Sequence, residues 1–196
     1  MPHVRPLPRE SLAQFEPFFR LAEQMMGGFV PNSLFTMGHR PEILQAFMML
    51  AGTINGAGTV DPGLKQLVAY VASNAAGCRY CQAHTSAHAA HAGVAVEKIE
   101  HAFEFEAHPI FSDAERAALR LARDAALQPN LVEAAHFEAL RCHFDEGQIV
   151  ELVAVCALFG FLNRWNDTLS TELEGTPRSF AEKHLESAGW TVGKHG

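Results

Sequence analysis

The chain has 196 residues, enough for one domain with a full core, and its 48% hydrophobic and 19% charged residues are a globular rather than a disordered balance. A net charge of −7 leaves no electrostatic footprint for nucleic acid or anionic lipid. Four cysteines do not make a disulfide scaffold in a chain of this size, and the N-terminus has no apolar core of signal-peptide length. A cytoplasmic protein in a reducing compartment, with no nucleic-acid or membrane partner, is the expectation.

Residues 1–9 are proline-rich and read as extended. Ser11 is a candidate cap for a helix running to about Met26, where Gly27-Gly28 end it. Pro31 and Pro41 punctuate the next stretch, and a second helix is expected over about 41–54. Residues 56–63 read as a loop, and Asp61-Pro62 as a helix start. The helix that follows carries Leu64, Leu67, Val68, Val71, Ala72 and Ala75 at helical spacing, with Lys65, Gln66 and Ser73 off that stripe. Gly77 breaks it, and a new helix begins near Cys78.

Val96 to Phe105 reads as a further helix. Ser112-Asp-Ala-Glu115 is a capping box before an amphipathic run to Ala125, and Pro129-Asn130 separates that run from a helix ending near His143. Asp145-Glu-Gly-Gln148 opens the most hydrophobic segment, Ile149 to about Leu169, whose nearly continuous apolar character predicts a central position. The longest apolar run in it, Leu152 to Leu162, is too short to cross a bilayer. After Gly175 the chain is polar, with Phe180, Leu185 and Trp190 as its possible anchors. No convincing alternating run or repeat is present. The expected fold is all-α: one domain of seven to nine helices over 1–175, then a polar tail over 176–196.

The chemistry concentrates in residues 78–91, Cys-Arg-Tyr-Cys-Gln-Ala-His-Thr-Ser-Ala-His-Ala-Ala-His. A C-x-x-C is either a dithiol that cycles to a disulfide or half of a metal site. In the first turn of a helix Cys78 and Cys81 are close enough to pair, and the helix N-terminus and Arg79 favour thiolate. Cys81, His84, Thr85 and His88 fall on one face. An imidazole beside a thiolate can take its proton or deliver one to a leaving oxygen, and these parts suit peroxide reduction. Zinc held by Cys78, Cys81, His84 and His88 is the competing reading. Cys142 and Cys156 read as small buried hydrophobes, and His91, His101, His108 and His136 as structural.

With Leu64 to His84 the chain resembles the carboxymuconolactone decarboxylase superfamily, in its alkylhydroperoxidase AhpD-like, peroxidase-related branch. Phe159-Gly-Phe-Leu-Asn-Arg-Trp-Asn-Asp-Thr-Leu169 is similar to the last core helix of that branch, and the likeness spans about residues 40–175. The resemblance implies an all-α fold, assembly as a dimer, trimer or hexamer, no cofactor and no metal. It implies that Cys81 attacks a small hydroperoxide, that Cys78 resolves the sulfenic acid, and that His84 carries protons, with Tyr80, Gln66 and His88 supporting. A dithiol reductant, lipoylated or thioredoxin-like, would recycle the disulfide.

Two positions depart from the family pattern. A proton-relay glutamate stands twelve residues before the first cysteine in the family's peroxidases, where this chain has Gln66, which exchanges no proton near neutral pH. The relay histidine falls at Thr85 in the usual spacing, and His84 stands one earlier. The relay is therefore expected through His84, with His88, or through a carboxylate from elsewhere such as Glu16 or Glu23. General acid–base help is typically worth ~10²–10⁴-fold, so weaker peroxidase activity is expected. The alternatives are a zinc-stabilised or structural oligomer, and a superfamily enzyme doing non-redox acid–base chemistry. Asn163, Arg164 and Asn166 read as structural before pocket-lining.

Overall fold

The computed structural model describes residues 1–56 and 58–196; Ala57, in the expected loop, lies outside the described residues. Among the described residues the chain is all helix and turn. Ten α-helices form a single helical domain, eight of them seven residues or longer. They are α1 (Glu16–Met25), α2 (Asn32–Met37), α3 (Pro41–Gly56), α4 (Pro62–Ala75), α5 (Arg79–His91), α6 (Val96–Glu100), α7 (Asp113–Ala126), α8 (Ala134–Arg141), α9 (Glu146–Leu169) and α10 (Gly175–His184).

The local signals act where expected. Asp61 accepts from the Leu64 N–H at 3.0 Å, with Pro62 in the first turn of α4. The capping box of Ser112 with Glu115 forms, and the helix opening at Asp145 proves to be another, with Gln148. The N-terminal helix differs: Arg9–Phe15 is a 3-10 segment kinked at Leu12, and α1 proper begins at Glu16 with Pro17 in its first turn. Likewise Val96–Phe105 divides into the short α6 and a 3-10 turn over Ala102–Glu104.

The most enclosed helix is α4, not α9. It packs against α5, α7 and α9, burying Leu67, Val68, Val71 and Ala72 on the expected stripe and Lys65, Tyr70 and Ser73 off it. Lys65 is tolerated inside because its ammonium meets Glu151 at 2.9 Å and donates to the Ile54 carbonyl at 3.0 Å. Hydrophobicity alone overstated the burial of α9. Ile149, Leu152, Val155 and Leu158 face the core, while Val150, Val153 and Phe161 are exposed on the opposite side. By length and composition α9 would also pass as a membrane span, but its inner face is a wall of this domain.

A second, smaller core of Leu12, Phe15, Phe19, Val30, Leu34, Met37 and Leu44 lies beneath the N-terminal segment. Phe47 and Leu162 touch both cores and mark the seam between them. Residues 176–196 do not trail away. The helix α10 packs on α5, Ala181, Leu185 and Trp190 are buried, and the Trp190 indole N–H donates to the Arg79 carbonyl at 3.1 Å.

Candidate active site at the start of α5

The backbone between α4 and α5 places the cysteines. Ala76 closes α4, and Gly77 takes a left-handed φ of 76°, which a residue without Cβ adopts freely. The Gly77 N–H bonds the Asn74 carbonyl at 2.9 Å, and the Cys78 N–H bonds the Ser73 carbonyl at 3.1 Å. That 5→2 and 6→1 pair is a Schellman closure. Its outermost residue, Cys78, is at once the N-cap of α5, with its sulfur accepting from the Cys81 N–H at 3.4 Å. Helix end and helix start thus share one residue, and that residue is a thiol.

Cys78 and Cys81 are free thiols and both are buried. Burial pushes Cys81 well above the ordinary thiol range, and its hydrogen bond to the Cys78 sulfur adds to the shift. The Asn166 amide, donating to the Cys81 sulfur at 3.5 Å, works in the opposite direction. The first turn of α5 is as expected, but burial outweighs its pull toward thiolate. The resting sulfur is a thiol that needs a base.

Cys81 opens on a cavity of about 330 Å³ at the seam between the two cores. Phe18, Leu21 and Met25 of α1 with Met26 just past its end, Phe47 and Met48 of α3, and Leu158, Phe159 and Leu162 of α9 make most of its wall apolar. Tyr80, Cys81, His84, Thr85 and His88 line it from α5, as their shared face predicts, and Gln66 from α4. Asn166 also reaches it, so this residue is part of the pocket and not merely of a helix end. Arg164 is outside, bonded to the Gly160 carbonyl at 2.9 Å.

The carboxylate of the site is Glu174, which precedes α10 and is ninety residues from His84. Its Oε2 accepts from His84 Nε2 at 2.7 Å and its Oε1 from the Tyr80 hydroxyl at 2.8 Å, with the Asn32 N–H as a third donor. Burial works to raise the Glu174 carboxyl. The His84 ring and the Asn32 N–H outweigh it and hold the group below the usual carboxylate range. Tyr80 stacks on His84 with ring centroids 4.3 Å apart, fixing the imidazole plane. Burial, followed by the Glu174 charge, raises the Tyr80 hydroxyl well above its ordinary value, so it remains a donor.

Glu16 and Glu23 are not in the site; both bind Arg9, at 2.9 Å and 2.5 Å. His88 has no partner on its buried Nε2, and burial, with His84 and His91 nearby, lowers it to about 3. It is a neutral wall at physiological pH. Gln66 donates to Asn55 at 3.5 Å and leaves its buried Oε1 unpartnered. Among the described residues Cys78, Cys81, His84 and His88 do not converge as one donor cluster. Cys142 is exposed at the end of short α8 and is not the buried residue expected, whereas Cys156 is half-buried and packs against the core as expected.

No sequence signal pointed to Glu174: it has no helical spacing to the motif and stands just ahead of the segment whose polarity argued for a tail.

Comparison with known proteins supports this frame. The family model for the carboxymuconolactone decarboxylase family matches residues 41–124, which run from α3 through the cysteine motif into α7. The debrominase Bmp8, solved free and, as a Cys→Ala variant, with 2,3,4-tribromopyrrole, is 37% identical with a TM-score of 0.86, over 92% of this chain and 96% of that one. An uncharacterized peroxidase-related protein from Silicibacter sp. TM1040 shares the fold at 22% identity and a TM-score of 0.73, over 89% and 90% of the two chains. The uncharacterized protein YnjA of Escherichia coli strain K12 is 28% identical over 142 residues, 72% of this chain and 78% of that protein. With its helical frame, its motif between α4 and α5 and these relatives, the chain belongs to the carboxymuconolactone decarboxylase family.

Proposed function

We propose that this protein is a dithiol reductase that strips an electrophilic atom from a small apolar molecule, with a halogenated aromatic ring as the leading substrate class. The observation that carries this reading is the position of Cys81, in the wall of an apolar cavity of about 330 Å³ with Cys78 bonded behind it and the His84–Glu174 pair beside it. A volume of that order suits a compact ring rather than a polymer or a nucleotide. The 37% identity to a debrominase favours halogen as the atom removed.

His84 takes the Cys81 proton, and the thiolate attacks bromine along the C–Br axis. An S–Br bond forms as C–Br breaks, and the bonding pair left on the ring carbon takes the proton back from His84. Cys78, as thiolate, then attacks the Cys81 sulfur; the disulfide forms and bromide leaves. Two thiols are oxidised, one C–Br is reduced to C–H, and HBr is the by-product. Glu174 holds the imidazole in place and stabilises its charged form between the two transfers. Asn166 stabilises the developing thiolate, and Gln66 orients the substrate without relaying protons.

An organic hydroperoxide is the second reading, favoured by the same thiol pair and the AhpD-like motif. Oxygen replaces bromine, a sulfenic acid replaces the S–Br intermediate, and alcohol and water leave. In both cases the disulfide needs an external dithiol, of lipoylated or thioredoxin-like type, and a cytoplasmic setting suits free thiols. The apolar outer face of α9, with Val150, Val153 and Phe161 exposed, supports a homo-oligomer.

The test is an anaerobic single turnover of the reduced protein with a polybrominated pyrrole and, separately, with cumene hydroperoxide. One bromide, or one alcohol, is expected for every two thiols lost. Intact thiols with both compounds would overturn the reading. Stoichiometric zinc that shields the thiols would favour a structural protein, and turnover surviving the double Cys→Ser variant would favour non-redox chemistry.

A further inference from the structure

The cavity side of the cysteine pair has its proton carrier in His84, and Cys78 faces away from it. On that opposite side the Cys78 sulfur, an Asp167 carboxylate oxygen and a ring nitrogen of His195 lie within 4.8 Å of one another. Asp167 comes from α9 and His195 from the 3-10 turn Gly193–His195, which packs on α5. His195 is only 1% exposed although the chain around it is polar, and its ring sits 5.8 Å from that of Tyr80.

The hydrogen bonds assign the tautomer. His195 Nδ1 lies 2.8 Å from the Thr171 carbonyl oxygen, which only accepts, so Nδ1 carries the hydrogen. The neutral ring then presents a lone pair at Nε2, a buried atom with no hydrogen-bond partner, 3.7 Å from Asp167 Oδ1. A buried imidazole nitrogen left unpartnered beside a thiol is costly unless it has a use.

We infer that His195 is the acid–base partner of Cys78, a second proton device devoted to closing and reopening the disulfide. The inference rests on the dithiol reading above. In resolution, the Cys78 S–H proton moves to His195 Nε2. The thiolate pair so released forms the S–S bond to Cys81, and the bond from Cys81 to the captured atom breaks, its pair leaving with bromide or hydroxide. Asp167 faces the imidazolium and, being half-buried, connects it to solvent. When an external dithiol attacks the Cys81 sulfur, the proton returns from His195 to the departing Cys78 thiolate. The two cysteines thereby exchange protons on opposite sides of α5, and a substrate still filling the cavity does not block the second step.

The groups facing the ring are Asp167 on α9, Lys194 on its own turn, and Tyr80 and Cys78 from α5; Lys194 is itself paired to Asp167 at 2.8 Å. Burial keeps His195 below the ordinary imidazole value, so the ring is neutral near pH 7 and able to accept.

The experiment uses hydrogen peroxide as a small probe of the whole reduced protein, with wild type, His195→Gln and Asp167→Asn compared. Samples are quenched with a dione that traps sulfenic acid and read by mass spectrometry. Wild type should pass directly to the disulfide. His195→Gln, which can still bond Thr171, should accumulate trapped Cys81 sulfenate, with resolution slowed at least about tenfold against the ~10²–10⁴-fold typical of acid–base help. Asp167→Asn leaves the ring in place and should slow resolution several-fold. Wild-type resolution should lose rate as pH falls below the ordinary imidazole value, while in His195→Gln it should be slow throughout. Melting curves and tryptophan fluorescence report whether the tail stays docked in each variant. Equal resolution rates in all three proteins, with one shared pH profile, would overturn the inference and leave the dithiol reading standing. If wild type oxidises without joining Cys78 to Cys81, both fall; zinc bound at Cys78 with loss of binding in His195→Gln would overturn the proton role.

Discussion

His84 and His88 stand one turn apart on the same face of α5, and both line the same cavity. One is tied to a carboxylate at 2.7 Å; the other has a buried nitrogen with no partner and is held neutral down to about pH 3. The helix treats them alike. What separates them is α10, which brings Glu174 to the first and nothing to the second. Helical spacing selects which residues share a cavity, and a distant segment decides which of them moves protons.

The sharpest break of that contrast removes the sulfur the imidazole serves. Cys81→Ser should reduce bromide or alcohol release to background. Cys78→Ser should still release one debrominated ring, or one alcohol, per chain in a single turnover but retain the captured atom on Cys81, then stop without a disulfide, as peptide mass mapping would show. Next is the partner itself: Glu174→Gln keeps the shape but not the charge, and a loss of about 10²-fold in turnover is expected, read from kcat with KM little changed. His88→Leu should change turnover by less than about threefold.

That last variant sharpens the comparison through stability. The folded protein keeps His88 neutral, while the unfolded chain binds its proton near pH 6.5. Its contribution is therefore complete above pH 6.5 and is lost as pH falls toward about 3, to a limit of roughly 5 kcal/mol. Glu174, lowered in the folded state, has the same sign but acts only below the ordinary carboxylate range. Chemical unfolding of wild type and His88→Leu between pH 4 and 7 should show curves that converge at the upper end and separate toward the lower. The smallest expected effect is at the hinge: Gly77→Ala places a Cβ on a φ of 76° and should cost about 1–2 kcal/mol, or several degrees in Tm, without altering the catalytic groups.

Much of this was legible in the sequence because it is local. Asp61, the two capping boxes and Gly77 act within four residues of themselves, and the shared face of Cys81, His84, Thr85 and His88 follows from helical pitch. Three things were not. Lys65 looked like a solvent residue because its ion partner, Glu151, is on another helix. The apolar outer face of α9 looked central because composition does not report which side is covered. Glu174, Asp167 and His195 looked incidental because their meeting with α5 depends on a tail that packs through Ala181, Leu185 and Trp190. Periodicity reads one helix at a time; the site is made by several.

The thioethers around the cavity carry a consequence of their own. Met25, Met26 and Met48 stand in the wall around any oxidising guest, on α1, at its end and on α3. Thioethers accept oxygen from peroxides and become polar sulfoxides. A hydroperoxide that lingers without meeting Cys81 would therefore roughen its own berth and weaken the next apolar guest, whereas an aryl bromide would leave it untouched. Long exposure to each would inscribe a different mass signature on those three side chains.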